Sequence, residues 1–354
     1  MSMTRRATIL TLLGLIAVIF IGLLLFRWRF IRQLLSRPKG PPVPPTYRAD
    51  RFQQEDRSRV ILVAGGNPER LVYECLQRLG AEEKLQAAGK RILVKPNIVS
   101  GSPAPTTTNP EVVRAVCQWL KERGAETVWV GDMSAVMTLG TRSSMKTSGI
   151  ELAAREAGAL PVYFEEHEWI PVSLPRARYL DQVPVSEYVV NADLVINLPV
   201  IKSHKWATYS VCMKNFVGAT HGRYRPYLID SEHWEEIVSE INAAYRPDLN
   251  IVDGTKVMYA GGPWRGDEAE MGLILAGGDR IACDAVAVAL MKTFPTHQRM
   301  KDRGVWEQTQ IRHAQELGLG IEGPHSLELE IHHLKAPSPE LQSRLEEMQK
   351  LIFA

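Results

Sequence analysis

Short apolar runs alternate with amphipathic segments through most of this 354-residue chain. Residues 60–63, 91–95 and 194–196 have the length and composition of buried strands, and the segments between such runs repeat apolar residues at helical spacing. Asn67-Pro68 and Asn109-Pro110 each place a helix-capping residue before a proline suited to the first helical turn. Apolar strands separated by helices predict an α/β fold with a mostly parallel sheet, Rossmann-like and doubly wound, covered by helices on both faces.

The alternation is interrupted once and ends in a C-terminal extension. Residues 170–190 are irregular and predict an antiparallel excursion or a small sub-domain. Residues 300–354 predict helical cover with one strand. The last predicted helix, residues 339–352, is amphipathic, so we expect it to pack on the body, with docking on a membrane surface as the alternative.

The first fifty residues differ from the rest of the chain. Residues 7–26 form an apolar run that can cross a bilayer as a helix, with arginines on both sides. A permanent single-pass anchor is preferred over a cleaved signal peptide or a twin-arginine export signal, because the run is long and lacks a small-residue cleavage site. The larger basic excess on the C-terminal flank favours a cytoplasmic body, whereas Arg5-Arg6 favours the opposite orientation.

These patterns divide the chain into four predicted segments. Five prolines within eight residues follow the apolar run and predict a stiff spacer that holds the body away from the membrane. The predicted segments are an anchor with basic flanks (residues 1–37), a proline-rich linker (residues 38–50), an α/β domain (residues 51–299) and a helical C-terminal extension packed on the body (residues 300–354).

Charge separates the N-terminal segment from the body. The chain carries 42 Lys and Arg against 40 Asp and Glu, but residues 1–50 hold eight of the basic residues and one Asp. The rest has a formal charge of −5 and no basic stripe, which argues against nucleic-acid binding. Cys75, Cys117, Cys212 and Cys283 lack the close spacing of zinc or iron–sulfur sites, and the first two are expected to be core thiols.

Polar groups follow several of the predicted strands. Lys95-Pro-Asn97, Asp132, Asp253 and Asp279 each stand at the carboxyl end of one. Because parallel strands bring these ends to one edge of the sheet, we expect the groups to converge, although Asp-Gly at a strand end also arises from turn formation alone. The glycine-rich residues 258–266 could approach a ligand, but they lack the spacing of a nucleotide-binding loop.

The densest set of chemical groups lies between residues 197 and 222. Its lysines suit a phosphate or carboxylate, and its two histidines could act as acid or base or ligate a metal. No close-spaced set of His and carboxylate residues makes a metal site the default, so we predict none. Amides would orient a substrate, and carboxylates would position the lysines or a cation. The predicted catalytic residues are His204 and His221, and the predicted substrate-binding residues are Lys95, Asn97, Lys202, Lys214, Asn215, Asp253 and Asp284.

Seven short motifs stand in order through the middle of the chain. They are Leu93-Val-Lys-Pro-Asn97, Thr108-Asn-Pro110, Ala192-Asp-Leu-Val-Ile-Asn-Leu-Pro199, Lys202-Ser-His204, Met213-Lys-Asn-Phe-Val-Gly218, Ile251-Val-Asp-Gly254 and Gly277-Gly-Asp279 through Asp284-Ala285. With these motifs, residues 91–291 resemble the domain-of-unknown-function 362 family. Some members of that family carry a ferredoxin-like four-cysteine segment, so the resemblance implies a redox step and a redox partner protein. This chain has no such segment; an iron–sulfur cluster is therefore not expected, and the cofactor is unknown.

Two functions are compatible with the sequence. The first is a single-pass membrane enzyme that acts on an anionic small molecule, with a redox step as one option. The second is a non-catalytic membrane-anchored ligand-binding or scaffold protein. The density of ionisable groups after buried strands favours the enzyme, because binding alone rarely needs two histidines and three lysines in one region.

Overall fold

The computed structural model describes residues 11–22, 38, 40–46, 48–138 and 140–354. The chain divides into two compact units, Met1–Arg37 and Pro38–Ala354. In the first unit, residues 11–22 form a helix with every side chain exposed. No helix within the described residues is both long and apolar enough to cross a membrane. The predicted anchor covers residues 7–26, and its first four and last four residues lie outside the described part of the chain.

Within its described residues, the second unit contains an eleven-stranded sheet and a two-stranded sheet. The strands are β1 (Gln53–Gln54), β2 (Arg57–Ala64), β3 (Arg91–Pro96), β4 (Thr127–Asp132), β5 (Leu160–Tyr163), β6 (Trp169–Ser173), β7 (Gln182–Ser186), β8 (Leu194–Leu198), β9 (Val200–His204), β10 (Thr208–Ser210), β11 (Leu249–Gly261), β12 (Gly266–Gly277) and β13 (Leu327–His333).

The α-helices of this unit connect and cover the strands. They are α1 (Pro68–Leu79), α2 (Ala81–Leu85), α3 (Pro110–Glu122), α4 (Thr141–Ser148), α5 (Ile150–Glu156), α6 (Glu187–Asn191), α7 (Cys212–Phe216), α8 (Pro226–Ile229), α9 (Trp234–Ile241), α10 (Arg280–Lys292), α11 (Gln298–Lys301), α12 (Thr309–Glu316) and α13 (Pro339–Phe353). The asparagines expected to cap α1 and α3 do so: Asn67 accepts the backbone N–H of Arg70, and Asn109 accepts that of Glu111.

Strand order explains how the site residues meet. β2, β12, β11, β8, β3, β4 and β5 are neighbours in that order. The run from β11 to β5 is parallel, whereas β12 is antiparallel to both β2 and β11. β13 pairs parallel with β2, and β9 lies parallel beside β11 with β10 antiparallel to it. The predicted α/β fold with a large, mostly parallel sheet is confirmed, and its Rossmann-like, doubly wound description stays a prediction.

Both faces of the sheet are buried. Along β2, Val60 and Leu62 enter one hydrophobic core while Ile61 and Val63 enter another. Because successive strand residues point to opposite faces, two cores mean that helices cover the sheet on both sides. Helices α1, α3 and α5 contribute to the core that contains Ile61, and α7, α9 and α10 contribute to the core that contains Val60.

Two aspartates are not placed as predicted, because the strand before Asp279 runs in the opposite direction and Asp253 lies within a strand. β12 is antiparallel to its neighbours, so Asp279 lies at the opposite edge of the sheet from the ends of β3 and β4. There it accepts the backbone N–H of Ala282 at the start of α10 and pairs with Arg246 at 3.4 Å. Asp253 does not end a strand, because β11 continues to Gly261.

The proline-rich segment does not stand free of the body over its described residues. The backbone N–H of Val43 donates to the Pro171 carbonyl at 2.9 Å, and that of Ser173 donates to the Val43 carbonyl at 2.9 Å. Further along, Arg48 pairs with Asp248 at 2.6 Å. The described part of the segment therefore packs on the α/β unit beside β6, and its role as a spacer from the membrane stays a prediction.

The irregular segment and the C-terminal extension both join the folded body. β6 and β7 form the two-stranded antiparallel sheet where the sequence predicts an excursion. In the extension, α13 places Leu345, Met348 and Ile352 in a hydrophobic core. The indole N–H of Trp306 also donates to the Ile352 carbonyl at 2.9 Å. The apolar face of α13 is therefore buried against the protein.

Candidate functional site

A cavity of about 410 Å³ opens at the carboxyl edge of the parallel strands. Asn97 and Asp132 reach it from the ends of β3 and β4, and Lys202 and His204 reach it from β9. This is the edge where open α/β sheets bind ligands, and the volume is typical of a small-molecule site. The aliphatic part of the wall includes Ile98, Val99, Met133, Val136, Met137 and Val217.

Lys95 lies beneath the cavity instead of in its wall. Its buried Nζ is 2.7 Å from Asp132 Oδ1 and donates to the Pro96 carbonyl at 3.0 Å and to Asn215 Oδ1 at 3.4 Å. Burial lowers the pKa of Lys95, and the charge of Asp132 opposes this shift. The Lys95 amine thus donates two hydrogen bonds within the protein, and its charge is paired with Asp132. The structure therefore gives Lys95 a supporting position, not the direct ligand contact that the sequence predicts.

Gly218 allows the backbone to approach this buried ion pair. A Cβ atom at this position would overlap Asp132 Oδ1 and lie 2.8 Å from Lys95 Nζ. The other oxygen of Asp132 accepts the backbone N–H of Ile98 at 2.8 Å, so the carboxylate has little freedom to move away. The last glycine of the Met213–Gly218 motif is therefore required by the close packing under the cavity.

Lys202 connects the cavity wall to the loop that precedes α3. Its Nζ donates to Asn97 Oδ1 at 3.1 Å and to the Thr106 carbonyl at 2.7 Å. Burial lowers the pKa of Lys202 to about 7, and the nearby charge of Lys214 adds to the shift. Since two of its three donors are used by the protein, one donor is left for a ligand in the cavity.

Lys214 on α7 and Arg225 just before α8 bring two more cations to the wall. Within the described part of the chain, no acceptor is within hydrogen-bond distance of Lys214 Nζ. Arg225 Nη2 donates to the Met133 carbonyl at 3.2 Å, while its buried Nε has no partner among the described residues. Burial lowers the pKa of Lys214 to about 7, helped by Arg225 and Lys95, and burial also lowers the pKa of Arg225.

His204 presents a neutral ring to the cavity. Its Nδ1 accepts the backbone N–H groups of Trp206 at 3.3 Å and Ala207 at 3.0 Å. Burial lowers the pKa of His204 well below its usual value, and the charge of Lys214 is the next cause. Because Nδ1 accepts, the neutral ring carries its proton on Nε2. His204 is therefore a hydrogen-bond donor toward the cavity. The sequence predicts a different role for it, as an acid or base.

His221 does not belong to the cavity wall. Its buried ring packs edge-on against Trp169 with centroids 5.4 Å apart, and its Nδ1 accepts the backbone N–H of Arg223 at 3.2 Å. Burial lowers the pKa of His221 to about 4, followed by the charges of Arg223 and Arg225. The structure therefore places only one of the two predicted catalytic histidines in the cavity.

Asp253 and Asp284 hold helix ends and do not line the cavity. Asp253 Oδ2 accepts the backbone N–H of Asn109 at the start of α3, at 2.8 Å. Asp284 accepts the N–H groups of Cys212 at 2.6 Å and Met213 at 3.3 Å, at the start of α7. Burial raises the pKa of Asp284 to about 7. Neither aspartate contacts the cavity as a substrate-binding residue would, but Asp284 positions the helix that carries two predicted site residues.

Asn215 begins a row of buried amides across the sheet. Its Nδ2 donates to Asn197 Oδ1 at 2.8 Å, and Asn197 Nδ2 donates to Asn250 Oδ1 at 2.9 Å. Asn250 Nδ2 donates in turn to the Gly277 carbonyl at 3.2 Å. This row ties α7 to β8, β11 and β12, so the orientation of Asn215 in the cavity wall is fixed.

An aromatic wall, formed by Trp206, Trp234, Trp264 and Tyr227, faces the cavity and was missed by the sequence analysis. The rings of Trp206 and Trp234 stack with centroids 5.9 Å apart, and Trp264 meets Trp206 edge-on at 6.0 Å. Trp264 comes from the glycine-rich residues 258–266, which form the hairpin between β11 and β12. These aromatic residues come from separate segments, so only the tertiary fold brings them together.

The described residues offer no metal site. No three His, Cys, Asp or Glu side chains among them lie close enough together to hold an ion. Cys75, Cys117, Cys212 and Cys283 are buried and unpaired. Burial raises the pKa of Cys117 to about 12 and raises that of Cys75 as well, so both thiols are unreactive core groups, as the sequence predicts.

The sequence matches a family model described as "Domain of unknown function (DUF362)" over residues 92–289, more than half of the chain. This match confirms the resemblance seen over residues 91–291. A thylakoid-associated protein of Synechocystis sp. is 30% identical over 233 residues, which are 62% of this chain and 68% of that protein.

Two solved structures are similar to the chain at low sequence identity. A protein from Thermotoga maritima is 15% identical with a TM-score of 0.37, over 60% of this chain and 56% of that chain. The lactate racemase apoprotein from Thermoanaerobacterium thermosaccharolyticum is 12% identical with a TM-score of 0.36, over 88% and 90% of the two chains. The chain thus spans little more than half of the Thermotoga maritima chain, and both scores are too low to transfer a function.

Proposed function

The chain belongs to the DUF362 family, whose domain is of unknown function, and we propose that it is a membrane-anchored enzyme acting on an anionic small molecule bound in the cavity. The observation that carries the proposal is the charge of the cavity wall. Lys202, Lys214 and Arg225 line it, while the only carboxylate among its described residues, Asp132, is paired with Lys95. Positive charge that the protein leaves uncompensated in apolar surroundings attracts an anion.

The remaining wall indicates an organic anion. Guanidinium and ammonium groups suit a carboxylate or a phosphate, and Arg225 has donors to spare because its Nε lacks a partner among the described residues. The aliphatic residues and the aromatic wall provide an apolar surface that a bare inorganic ion would not use. We therefore expect a ligand with one charged end and an apolar or aromatic body.

Titration near neutral pH favours an enzyme over a simple binding protein. Burial brings the pKa of Lys202 and of Lys214 to about 7. Groups that exchange protons near the working pH are typical of catalytic sites, whereas a site built only for anions gains from cations that stay charged. A redox step and a redox partner protein stay predictions, and the non-catalytic alternative is an outcome of the experiment below.

The first unit supports attachment to a membrane. The apolar side chains of residues 11–22 are exposed, with Leu15 at 58% and Phe20 at 61% of their full exposure. Apolar surface of this extent is typical of a segment that contacts lipid or another protein. The Synechocystis relative is named as thylakoid-associated, which agrees with attachment through residues 7–26.

Native mass spectrometry of the full chain in detergent tests the proposal. We expect a co-purifying organic anion that is released on denaturation. Arg225→Met should lose it, because the substitution removes a cavity cation whose Nε has no partner among the described residues. Arg114→Met is the matched control, since Arg114 is a surface residue on α3 that pairs with Glu156 at 3.6 Å, and it should retain the anion.

Two outcomes would change this conclusion. A wild-type protein that carries no organic anion, and is not stabilised by a panel of carboxylates and phosphates, contradicts anion binding in the cavity. An anion that stays bound and chemically unchanged after incubation with cell extract supports the non-catalytic binding protein instead.

A further inference from the structure

The three lysines in or beneath the cavity differ in how many protein groups already contact their amines. Lys95 is held by Asp132 and two further acceptors, and Lys202 is held by Asn97 and the Thr106 carbonyl. Lys214 lines the cavity, and its Nζ makes no hydrogen bond or ion pair with another described residue. Lys202 keeps one donor for a ligand, whereas the amine of Lys214 is not held by any hydrogen bond to a described residue and can turn toward a substrate.

The charges around Lys214 favour its neutral form. Arg225 and Lys95 repel an ammonium at this position, and Asp132 is the carboxylate that opposes them. Burial is the main cause that brings the pKa of Lys214 to about 7, and Arg225 and Lys95 add to it, so a large share of the amine is unprotonated at neutral pH. A desolvated lysine beside other cations is a recognised form of activated nucleophile.

His204 supplies a hydrogen-bond donor in the same cavity. Its Nδ1 is occupied by two backbone N–H groups, so Nε2–H is its donor to the cavity. Lys214 and His204 line the same cavity, and after burial the charge of Lys214 is the next cause that lowers the pKa of His204. A neutral imidazole donor can polarise a carbonyl oxygen without adding positive charge beside the amine.

We propose that Lys214 is a catalytic nucleophile that forms an imine with a carbonyl group of the anionic substrate, which makes the substrate an anionic aldehyde or ketone. This inference rests on the proposed function, because the cavity must first bind the anion. Arg225 and Lys202 hold the charged end of the substrate, and His204 donates to the carbonyl oxygen.

The step balances without another reactant. The Lys214 nitrogen attacks the carbonyl carbon and forms the C–N bond, and its two hydrogens leave with the carbonyl oxygen as water. The imine then takes up one proton from solvent. The positive charge of the resulting iminium is offset by the carboxylate or phosphate of the substrate itself, and no electrons pass to or from another compound.

Reductive trapping on the full chain in detergent tests the inference. The probe is 4-formylbenzoate followed by sodium borohydride, and peptide mapping locates the carboxybenzyl group. At pH 7 we expect Lys214 to be labelled at least about tenfold more than exposed lysines, which are almost fully protonated at that pH. The analogue 4-(hydroxymethyl)benzoate has the same anion without the carbonyl, so its binding reports on the proposed function alone.

A variant and its control distinguish the effect of the Lys214 amine from the effect of its positive charge. Lys214→Arg keeps a cation that cannot form an imine, so it should bind 4-(hydroxymethyl)benzoate and lose the label. Lys256→Arg is the matched control, because Lys256 is a half-exposed residue of β11 that pairs with Glu270 at 2.6 Å, and labelling of Lys214 should not change.

The two hypotheses fail in different ways. Binding of 4-(hydroxymethyl)benzoate without a label on Lys214 overturns the inference and leaves the proposed function standing. Labels spread over exposed lysines, or a label on Lys214 that excess 4-(hydroxymethyl)benzoate does not prevent, also overturn it. If neither benzoate binds, the proposed function fails for aromatic carboxylates and the inference falls with it.

Discussion

Lys95 and Asp132 hold opposite charges 2.7 Å apart in a buried position under the cavity. Removing water from two charges is costly, and their mutual attraction offsets that cost only while both are present. We expect Lys95→Met to lower the free energy of unfolding by about 3–5 kcal/mol, because it leaves Asp132 buried and uncompensated. Urea denaturation measures the change.

A second variant and a surface control identify the cause of this loss. Lys95→Met combined with Asp132→Leu should be more stable than Lys95→Met alone, since no unpaired charge is left buried. Lys256→Met breaks an ion pair that is exposed on the β11–β12 hairpin, and it should change stability far less. A double variant no more stable than Lys95→Met would contradict the coupling of the two charges.

Residues that belong to short strand-end motifs were identifiable from the sequence. Asn97, Lys202, His204, Lys214 and Asn215 all line the cavity, because each stands in or just after an apolar strand or in the motif that follows. The cavity's arginine and its aromatic wall could not be identified in this way. Arg225, Trp206 and Trp264 lie outside helices and strands, while Tyr227 and Trp234 lie in short helices. No motif marks any of them as a site residue, and only tertiary packing decides which way they face.

At the scale of elements, the short helix α7 is central because it carries Lys214 and Asn215 into the cavity wall. A helix of five residues has too few internal hydrogen bonds to be stable by itself. Asp284, on α10, accepts the backbone N–H groups of Cys212 and Met213 at its start. The position of the cavity lysine therefore depends on a carboxylate outside the cavity.

We expect Asp284→Ala to reduce both stability and anion affinity. The substitution leaves two buried N–H groups without an acceptor, which costs about 1–3 kcal/mol for each group left unsatisfied. It also releases the start of α7, so Lys214 is no longer held in place. Thermal unfolding and binding of 4-(hydroxymethyl)benzoate measure the two effects.

Asp253→Ala is the matched control for this prediction. Asp253 holds the start of α3 through the Asn109 N–H, so its loss should lower stability by a similar mechanism. Because α3 carries none of the described cavity residues, the affinity of the folded protein should change little. If Asp284→Ala keeps full affinity, the amide row from Asn215 to Asn250 is sufficient to hold α7.

Strand direction limited the prediction at this scale. The apolar residues of β12 have the same pattern as those of the parallel strands, because side chains alternate in both parallel and antiparallel pairing. Pairing with β11 through a hairpin makes β12 antiparallel, and this reverses the edge at which Asp279 lies. The hydrophobic pattern predicts that the strands exist. It does not predict which edge of the sheet each strand end reaches, because that depends on how the strands are connected.

At the scale of the whole molecule, the cavity depends on segments far apart in sequence. Its described wall draws on residues 97–99, 132–137, 202–234 and 263–264. Parallel strands of the same sheet bring the first three stretches to one edge, and the hairpin between β11 and β12 adds the fourth. The cavity is therefore a property of the complete α/β unit, and fragments of the domain are not expected to bind the anion.

The apolar residues of the first unit should decide where the protein is found in the cell. Leu15, Ile16 and Ile19 are exposed in the helix of residues 11–22, and replacing all three with Arg should release the protein from membranes. Each Arg near the centre of a membrane-inserted segment costs about 2.5–3.5 kcal/mol, so three remove the gain from burying the segment in lipid. Carbonate extraction followed by immunoblotting measures the release.

The matched control replaces Leu152 and Leu160, two leucines exposed on the α/β unit, with Arg. This variant should stay in the membrane pellet. A triple variant that stays in that pellet would contradict attachment through residues 7–26.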